Sequence, residues 1–365
     1  MAAFQVPYVD IAAQNQQLKA AMLEAVARVI DSGQLILGPE VAELEQELAE
    51  ALAVPFVVGV NSGTDALILA LRLHGIGPGD EVITVSHSFF ATAAAICLVG
   101  AKPVYVDLDP ATMLMDPGQL ASARTARTRA VLPVHLNGWV CDMEPIVAFC
   151  QRHDLILIED VAQAMGSFWM GRAAGSFGTG AFSLHPLKVL SALGDAGFLS
   201  VHSEAHAEQV RQMRNLGLVD RDHCAWISGN SRLDSVQAAM LRVKLQHYQA
   251  WIQTRNAYAA LYRRGLAGKV ELPPDDPRCE TNYAAFVIRH PDRDRLQVHL
   301  AQKGVSTKVH YPVPIHRQQP YAKFQSNPLP MTEQVVSTCL SLPIHQTLSP
   351  EQIDYVISCI YSYLN

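Results

Sequence analysis

The stretch Leu155-Ile156-Leu157-Ile158-Glu159-Asp160-Val161-Ala162-Gln163-Ala164 decides the fold. Four apolar residues in a row, without alternation, predict a short strand buried on both faces, as in a parallel sheet covered by helices. Two carboxylates follow at the carboxyl end of that strand. In an open α/β sheet this is the edge at which ligands bind. Asp160 there is either a helix N-cap, a position that favours Asp, or a carboxylate facing a ligand. The stretch alone leaves both open.

The same pattern repeats outward from it. Residues 55–60, 81–85, 103–107 and 130–134 read as strands that alternate with helical patterns up to about residue 200. A mostly parallel central sheet with helices on both faces is therefore expected. Residues 12–31 and 39–51 read as amphipathic helices, the second preceded by Gly38 and opened by Pro39. Gly77-Pro78-Gly79-Asp80 is a turn between a helix and a strand. One long helical stretch rich in Ala, Leu and Gln, from 234 to about 268, is expected to join two domains. After it come a strand at 282–288, helices at 292–303 and 349–364, and a strand from 307 that ends at the Pro312 turn. The expected division is 1–240, a large α/β domain with N-terminal helices, and 241–365, a small α+β domain.

Composition excludes several classes. At 365 residues and 49% hydrophobic, the chain can bury a large core. A net charge of −6 without a basic run argues against a nucleic-acid partner. The apolar windows are interrupted too often for a membrane span, and Met1-Ala2-Ala3-Phe4 lacks the basic start of a signal peptide. Seven cysteines, an odd number without a C-x-x-C pair, suit reduced thiols in a cytoplasmic protein. The histidines show no H-E-x-x-H spacing, and no metal is expected.

The strongest chemical signal is Lys188, in Ser183-Leu184-His185-Pro186-Leu187-Lys188 after the apolar Gly180-Ala181-Phe182. A lone lysine is ordinarily a solvated surface charge. On a strand-to-turn segment with a serine five residues upstream, it suits an aldehyde cofactor. The amine can form a Schiff base and the hydroxyl can reach a phosphate, and pyridoxal phosphate needs both. Asp160 would then face the protonated pyridine nitrogen. Asn61-Ser62-Gly63-Thr64-Asp65, between a strand and a helix, offers N–H groups and hydroxyls to an anion. That last pattern also occurs in many α/β proteins without a ligand.

Taken together and in order, these segments resemble the DegT/DnrJ/EryC1/StrS family of PLP-dependent sugar aminotransferases, over essentially the whole chain. The resemblance rests on Ser32-Gly33-Gln34-Leu35-Ile36-Leu37-Gly38-Pro39, Ser62-Gly63-Thr64-Asp65-Ala66-Leu67, Ser88-Phe89-Phe90-Ala91-Thr92 and Pro133-Val134-His135-Leu136. It continues through Glu159-Asp160-Val161-Ala162-Gln163, the Lys188 segment, Gly229-Asn230-Ser231-Arg232 and Val309-His310-Tyr311-Pro312-Val313-Pro314. It implies a fold-type-I transferase. Lys188 would be the Schiff-base lysine and proton shuttle, and Asp160 the pyridine partner. Gln163 would contact the phenolic oxygen and Phe89 would stack on the ring. Ser62, Gly63, Thr64 and Ser183 would hold the phosphate. Asn230 would serve the neighbouring subunit's site in a homodimer, and His310 and Tyr311 would face the sugar.

The chain departs from the family's usual pattern at Leu184, Asn137, Ala196 and Leu216. These positions bear on substrate more than on chemistry. The expected activity is transfer of an amino group from L-glutamate to a keto sugar, expected to be nucleotide-linked. His310-Tyr311-Pro312 resembles the 3-keto version of its loop more than the 4-keto one. Two further classes share the resemblance. A sugar dehydratase usually has histidine in place of the lysine, and a PLP-binding regulator usually adds a DNA-binding domain for which this chain is expected to be too short.

Overall fold

The computed structural model describes residues 5–324 and 327–365. Met1–Phe4, on which the absence of a leader was read, lie outside the described residues. Two helices come first. α1 (Ile11–Ser32) is capped by Asp10, whose Oδ1 accepts the Ala13 N–H at 2.9 Å, and it ends at Gly33 with a left-handed φ of 66°. α2 (Pro39–Leu52) opens on Pro39.

The large sheet is then built by alternation. In chain order its elements are β1 (Phe56–Val60), α3 (Gly63–Leu73), β2 (Glu81–Val85), α4 (Ala91–Leu98), β3 (Lys102–Val106), α5 (Leu120–Ala123) and β4 (Thr128–Val131). There follow α6 (Met143–His153), β5 (Ile156–Asp160), the short hairpin β6 (Phe168–Trp169) and β7 (Arg172–Ala173), β8 (Thr179–Ser183), β9 (Gly197–Val201) and α7 (Glu204–Met213). Seven strands form one sheet in the order β1-β9-β8-β5-β4-β2-β3. Only β9 runs against its neighbours, β1 and β8, and every other pair is parallel. Every residue of β2 and β9 is buried, as strands covered on both faces require.

The rest of the chain comprises α8 (Ser235–Leu245), α9 (Tyr248–Leu266), β10 (Cys279–Glu280), β11 (Phe286–Arg289), α10 (Arg293–Gln302), α11 (Pro330–Thr338), β12 (Cys339–Leu342) and α12 (Pro350–Leu364). β11 and β12 form a two-stranded antiparallel sheet, and Ser349 with Gln352 makes a capping box on α12.

Three expectations are corrected. The single helix from 234 to 268 is two, interrupted at Gln246 and His247. The cause is tertiary: α8 packs on α1 and α2, whereas α9 packs on α12. The strand at 282–288 shrinks to β11, because Asn282 is drawn elsewhere. Its side-chain amide donates to the carbonyls of Gln163 and Met165 at 3.0 and 2.8 Å. The strand from 307 is only a bridge between Lys308 and Ser341. Residue 240 lies within α8. Among the described residues no helix is long and apolar enough to cross a membrane, and the seven cysteines are unpaired.

Candidate active site

A cavity of about 480 Å³ opens at the carboxyl ends of the parallel strands. Its floor is set by β5. Asp160 is the last residue of that strand and is buried, with its backbone N–H bonded to Pro133 O at 3.0 Å. Its Oδ1 accepts the Ala162 N–H at 3.1 Å, and its Oδ2 accepts the Thr92 hydroxyl at 2.8 Å. Ser88 Oγ lies 2.8 Å from Thr92 Oγ1. The Thr92 hydroxyl has one proton to give, so with Asp160 ionised Ser88 is the donor to Thr92. No helix starts at Asp160, so the N-cap reading fails. Burial raises the Asp160 carboxyl above its ordinary range, and Thr92, Ala162 and Lys188 pull it back.

β8 ends at Ser183, and the turn after it carries Lys188 into the same cavity. Burial lowers the Lys188 ammonium below its usual value, partly offset by the charge of Asp160. The loop behind it is pinned by a residue that the sequence reading missed. Lys244 on α8 is buried and donates to the Ser191 carbonyl at 2.7 Å. Burial lowers its own pKa to about 8.

The start of α3 forms the third side. Ser62 is its N-cap, with Oγ accepting the Asp65 N–H at 3.1 Å. Ser62, Gly63 and Thr64 line the cavity at the positive end of that helix. A Cβ on Gly63 would fall 2.6 Å from Ser183 Cβ, so the helix start and the end of β8 approach closely enough to require glycine. Phe89 also lines the cavity and is 45% exposed.

Gln163, also in the cavity lining, accepts the Asn137 N–H at 2.7 Å and donates to the Tyr311 hydroxyl at 3.1 Å. The structure therefore gives Gln163 a task not expected from the sequence, the fixing of Tyr311. His310 bonds through Nδ1 to Ser341 Oγ at 3.0 Å, and its carbonyl accepts from His87 Nε2 at 3.0 Å. Burial, followed by the charge of Lys188, lowers the His310 imidazole to about 4, so it is neutral at physiological pH. Burial raises the Tyr311 phenol, leaving it a neutral hydroxyl.

Of the residues singled out from sequence, Ser62, Gly63, Thr64, Phe89, Asp160, Gln163, Ser183, Lys188, His310 and Tyr311 meet in this cavity. Asn230 does not, and is exposed. Its neighbour Ser231 is nonetheless tied to the start of α3, donating to Asp65 Oδ2 at 2.6 Å and accepting the Asn61 N–H at 3.0 Å.

These residues fit pyridoxal phosphate: a lysine with lowered basicity, a buried carboxylate within its field, and a glycine-tight anion cradle at a helix N-terminus. They define a PLP-dependent enzyme of the α/β class. Residues 16–361 match the DegT/DnrJ/EryC1/StrS aminotransferase family, and the chain belongs to it. It is a PLP-dependent sugar aminotransferase. It is 41% identical over 361 residues to a dTDP-3-amino-3,4,6-trideoxy-α-D-glucose transaminase of Streptomyces venezuelae, covering 97% of this chain and 95% of that one. It is 40% identical over 365 residues to a pleiotropic regulatory protein of Geobacillus stearothermophilus, covering 98% of each. The crystal structure of S. venezuelae DesV in complex with a ketimine intermediate superposes with a TM-score of 0.97 at 40% identity, covering 100% of this chain and 99% of that one.

Two departures from the family pattern, Asn137 and Leu216, both take left-handed backbone, with φ of 62° and 61°. Asn tolerates that region readily, whereas Leu does so at a cost.

Proposed function

We propose that this protein transfers the amino group of L-glutamate to a nucleotide-linked 3-keto sugar. The observation that carries the reading is Lys188 and Asp160 facing one cavity at the carboxyl ends of β8 and β5. The name of the S. venezuelae relative, a 3-amino sugar transaminase, supports position 3 over position 4.

The roles follow from placement. When bound, the cofactor supplies an electron sink for proton removal beside the nitrogen it carries. Lys188 Nζ, its basicity lowered by burial, takes a proton and returns it on the neighbouring carbon. Asp160 presents negative charge to the pyridine end. Ser62, Gly63, Thr64 and Ser183 hold the phosphate, and Phe89 covers one ring face. Gln163 lies toward the phenolic oxygen while fixing Tyr311. Tyr311 and the neutral His310 face the sugar.

Asn230 is proposed to complete the neighbouring subunit's site in a homodimer. Its exposure, its link through Ser231 to α3, and the exposed apolar Trp226 and Ile227 close by support this. The two-domain division and a cytoplasmic location are proposed on the same footing, the latter supported by the unpaired cysteines.

The test has two steps. L-Glutamate should bleach the visible absorbance of the holoenzyme and release 2-oxoglutarate. The resulting amino form should then regain that absorbance with a 3-keto sugar nucleotide. Recovery with a matched 4-keto isomer alone would overturn the position, and no bleaching at all would favour a regulatory or dehydratase role.

A further inference from the structure

Four rings run in contact along one wall of the cavity. Phe89 and Tyr311 have centroids 5.7 Å apart, Tyr311 and His310 5.3 Å, and His310 and Tyr8 5.7 Å. The run starts at the ring proposed to cover the cofactor and ends at a residue from the far N-terminal segment. No motif in the sequence marked Tyr8.

That segment is a strap held at both ends. Val6 N–H donates to Gly304 O at 3.0 Å, and Ser306 N–H donates to Val6 O at 2.9 Å. His345 Nε2 donates to Pro7 O at 3.2 Å. Asp10 then caps α1, which packs against α8. Tyr8, between these anchors, is half-buried and lines the cavity. The row is also fixed from behind, since Ser341 holds the His310 ring through Nδ1.

We propose that Tyr8 is a specificity-determining residue for the sugar nucleotide, contacting the part of it that lies away from the keto carbon. The inference rests on the function proposed above. Its argument is one of reach and of hydrogen-bond chemistry. Both substrates must place their reacting carbon at the cofactor, near the Phe89 end. Glutamate continues from there by only a few C–C bonds of about 1.5 Å each. A nucleotide-linked hexose continues much farther, along the wall toward Tyr8. Aromatic rings with a polar edge suit such a ligand, apolar against ring C–H faces and polar against hydroxyls. Burial pushes the Tyr8 phenol up to about 12, with the Ser341 hydroxyl and the charge of Arg255 pulling it back, so it remains a neutral hydroxyl that is bonded to Ser341 and keeps further positions for a sugar hydroxyl. A carboxylate can only accept.

The experiment compares two amino donors on one form of the holoenzyme. L-Glutamate, and a panel of dTDP- and UDP-linked 3-amino sugars run in the reverse direction, should each bleach the same visible band in stopped flow. For Tyr8→Ala the concentration of amino sugar giving half-maximal rate should rise about two- to tenfold, the scale of one aromatic contact. The limiting rate and the glutamate reaction should stay as in wild type. Tyr8→Phe should show a smaller rise, because it keeps the ring and loses only the hydroxyl. An unchanged glutamate reaction also reports an intact cofactor site, so misfolding cannot mimic the result. Equal losses with both donors, or none with either, would overturn the inference alone. Wild type bleached by glutamate and by no sugar of the panel would overturn the sugar-nucleotide reading and this inference with it.

Discussion

Thr92→Val removes one hydroxyl from behind Asp160 and keeps the shape of the side chain. Thr92 Oγ1 donates to Asp160 Oδ2 at 2.8 Å, in a site where both residues are buried. A hydrogen bond to a charged group contributes about 1.5–3 kcal/mol. The carboxylate then loses that stabilisation, and its pairing with a protonated pyridine weakens. The affinity of the apoenzyme for pyridoxal phosphate should fall about 10- to 100-fold. Titration of apoenzyme with the cofactor, followed by absorbance, measures this directly. Thr92→Ser should restore most of the affinity, which a packing role for the methyl group would not explain. The variant should also alter the pH dependence of apoenzyme stability. Burial already raises Asp160 above its usual value, so the folded chain binds more protons than the unfolded one between those two values. Stability therefore falls as pH rises through that window, and Thr92→Val should extend the window upward. The deficit of the variant should be largest above the window and shrink when pH drops below both values. Lys188, His135 and Tyr311 are the other titratable groups facing this carboxyl. Wild-type cofactor affinity in Thr92→Val would refute the reasoning.

Three other outcomes are expected. Lys188→Ala should still bind the cofactor, but borohydride should no longer attach it covalently, and transamination should fall by several powers of ten, since proton transfer alone is worth about 10²–10⁴-fold. Gly63→Ala would place its Cβ 2.6 Å from Ser183 Cβ and should cost about 1–3 kcal/mol of thermal or denaturant stability together with phosphate affinity. Mixing Lys188→Ala with an inactive Asn230→Ala protein should regain activity through hybrid dimers, whereas a monomer fully active at high dilution would exclude a shared site.

Much of the site was legible because its residues sit where the chain changes character. Asp160 ends an apolar run, Ser183 ends another, and Ser62 stands between a strand and a helix, so each lies at a strand end where an α/β sheet places its ligands. Thr92, Lys244 and Tyr8 were not legible, for a shared reason. Each acts through a contact far away in sequence, Thr92 on Asp160, Lys244 on Ser191 and Tyr8 on His310. Only packing of α4, α8 and the N-terminal strap brings those partners together. A weak signal did exist for Lys244, a charge among the buried Ala238, Ala239 and Leu241 of α8. The break between α8 and α9 carries no Gly or Pro, so it too is visible only once both helices have found different neighbours.

Glu159 and Asp160 show how adjacent carboxylates are told apart. They point to opposite faces of β5, as successive strand residues must. A carboxylate offers about four acceptor positions. Glu159 receives the N–H groups of Gly175, Phe177 and Gly178 at 2.9, 2.8 and 2.8 Å, and His135 Nε2 at 3.0 Å. Nδ1 of that histidine accepts the Cys141 N–H at 3.1 Å, which fixes the proton on Nε2 as the donor. Glu159 is thereby consumed in holding the 174–178 loop under β5, away from the ligand. Asp160 receives two donors from the protein, Thr92 and Ala162, and its remaining face lines the cavity opposite Lys188. The carboxylate whose acceptors are filled by backbone is part of the frame. The one only half satisfied by its own chain is the one placed to meet a cation from outside it.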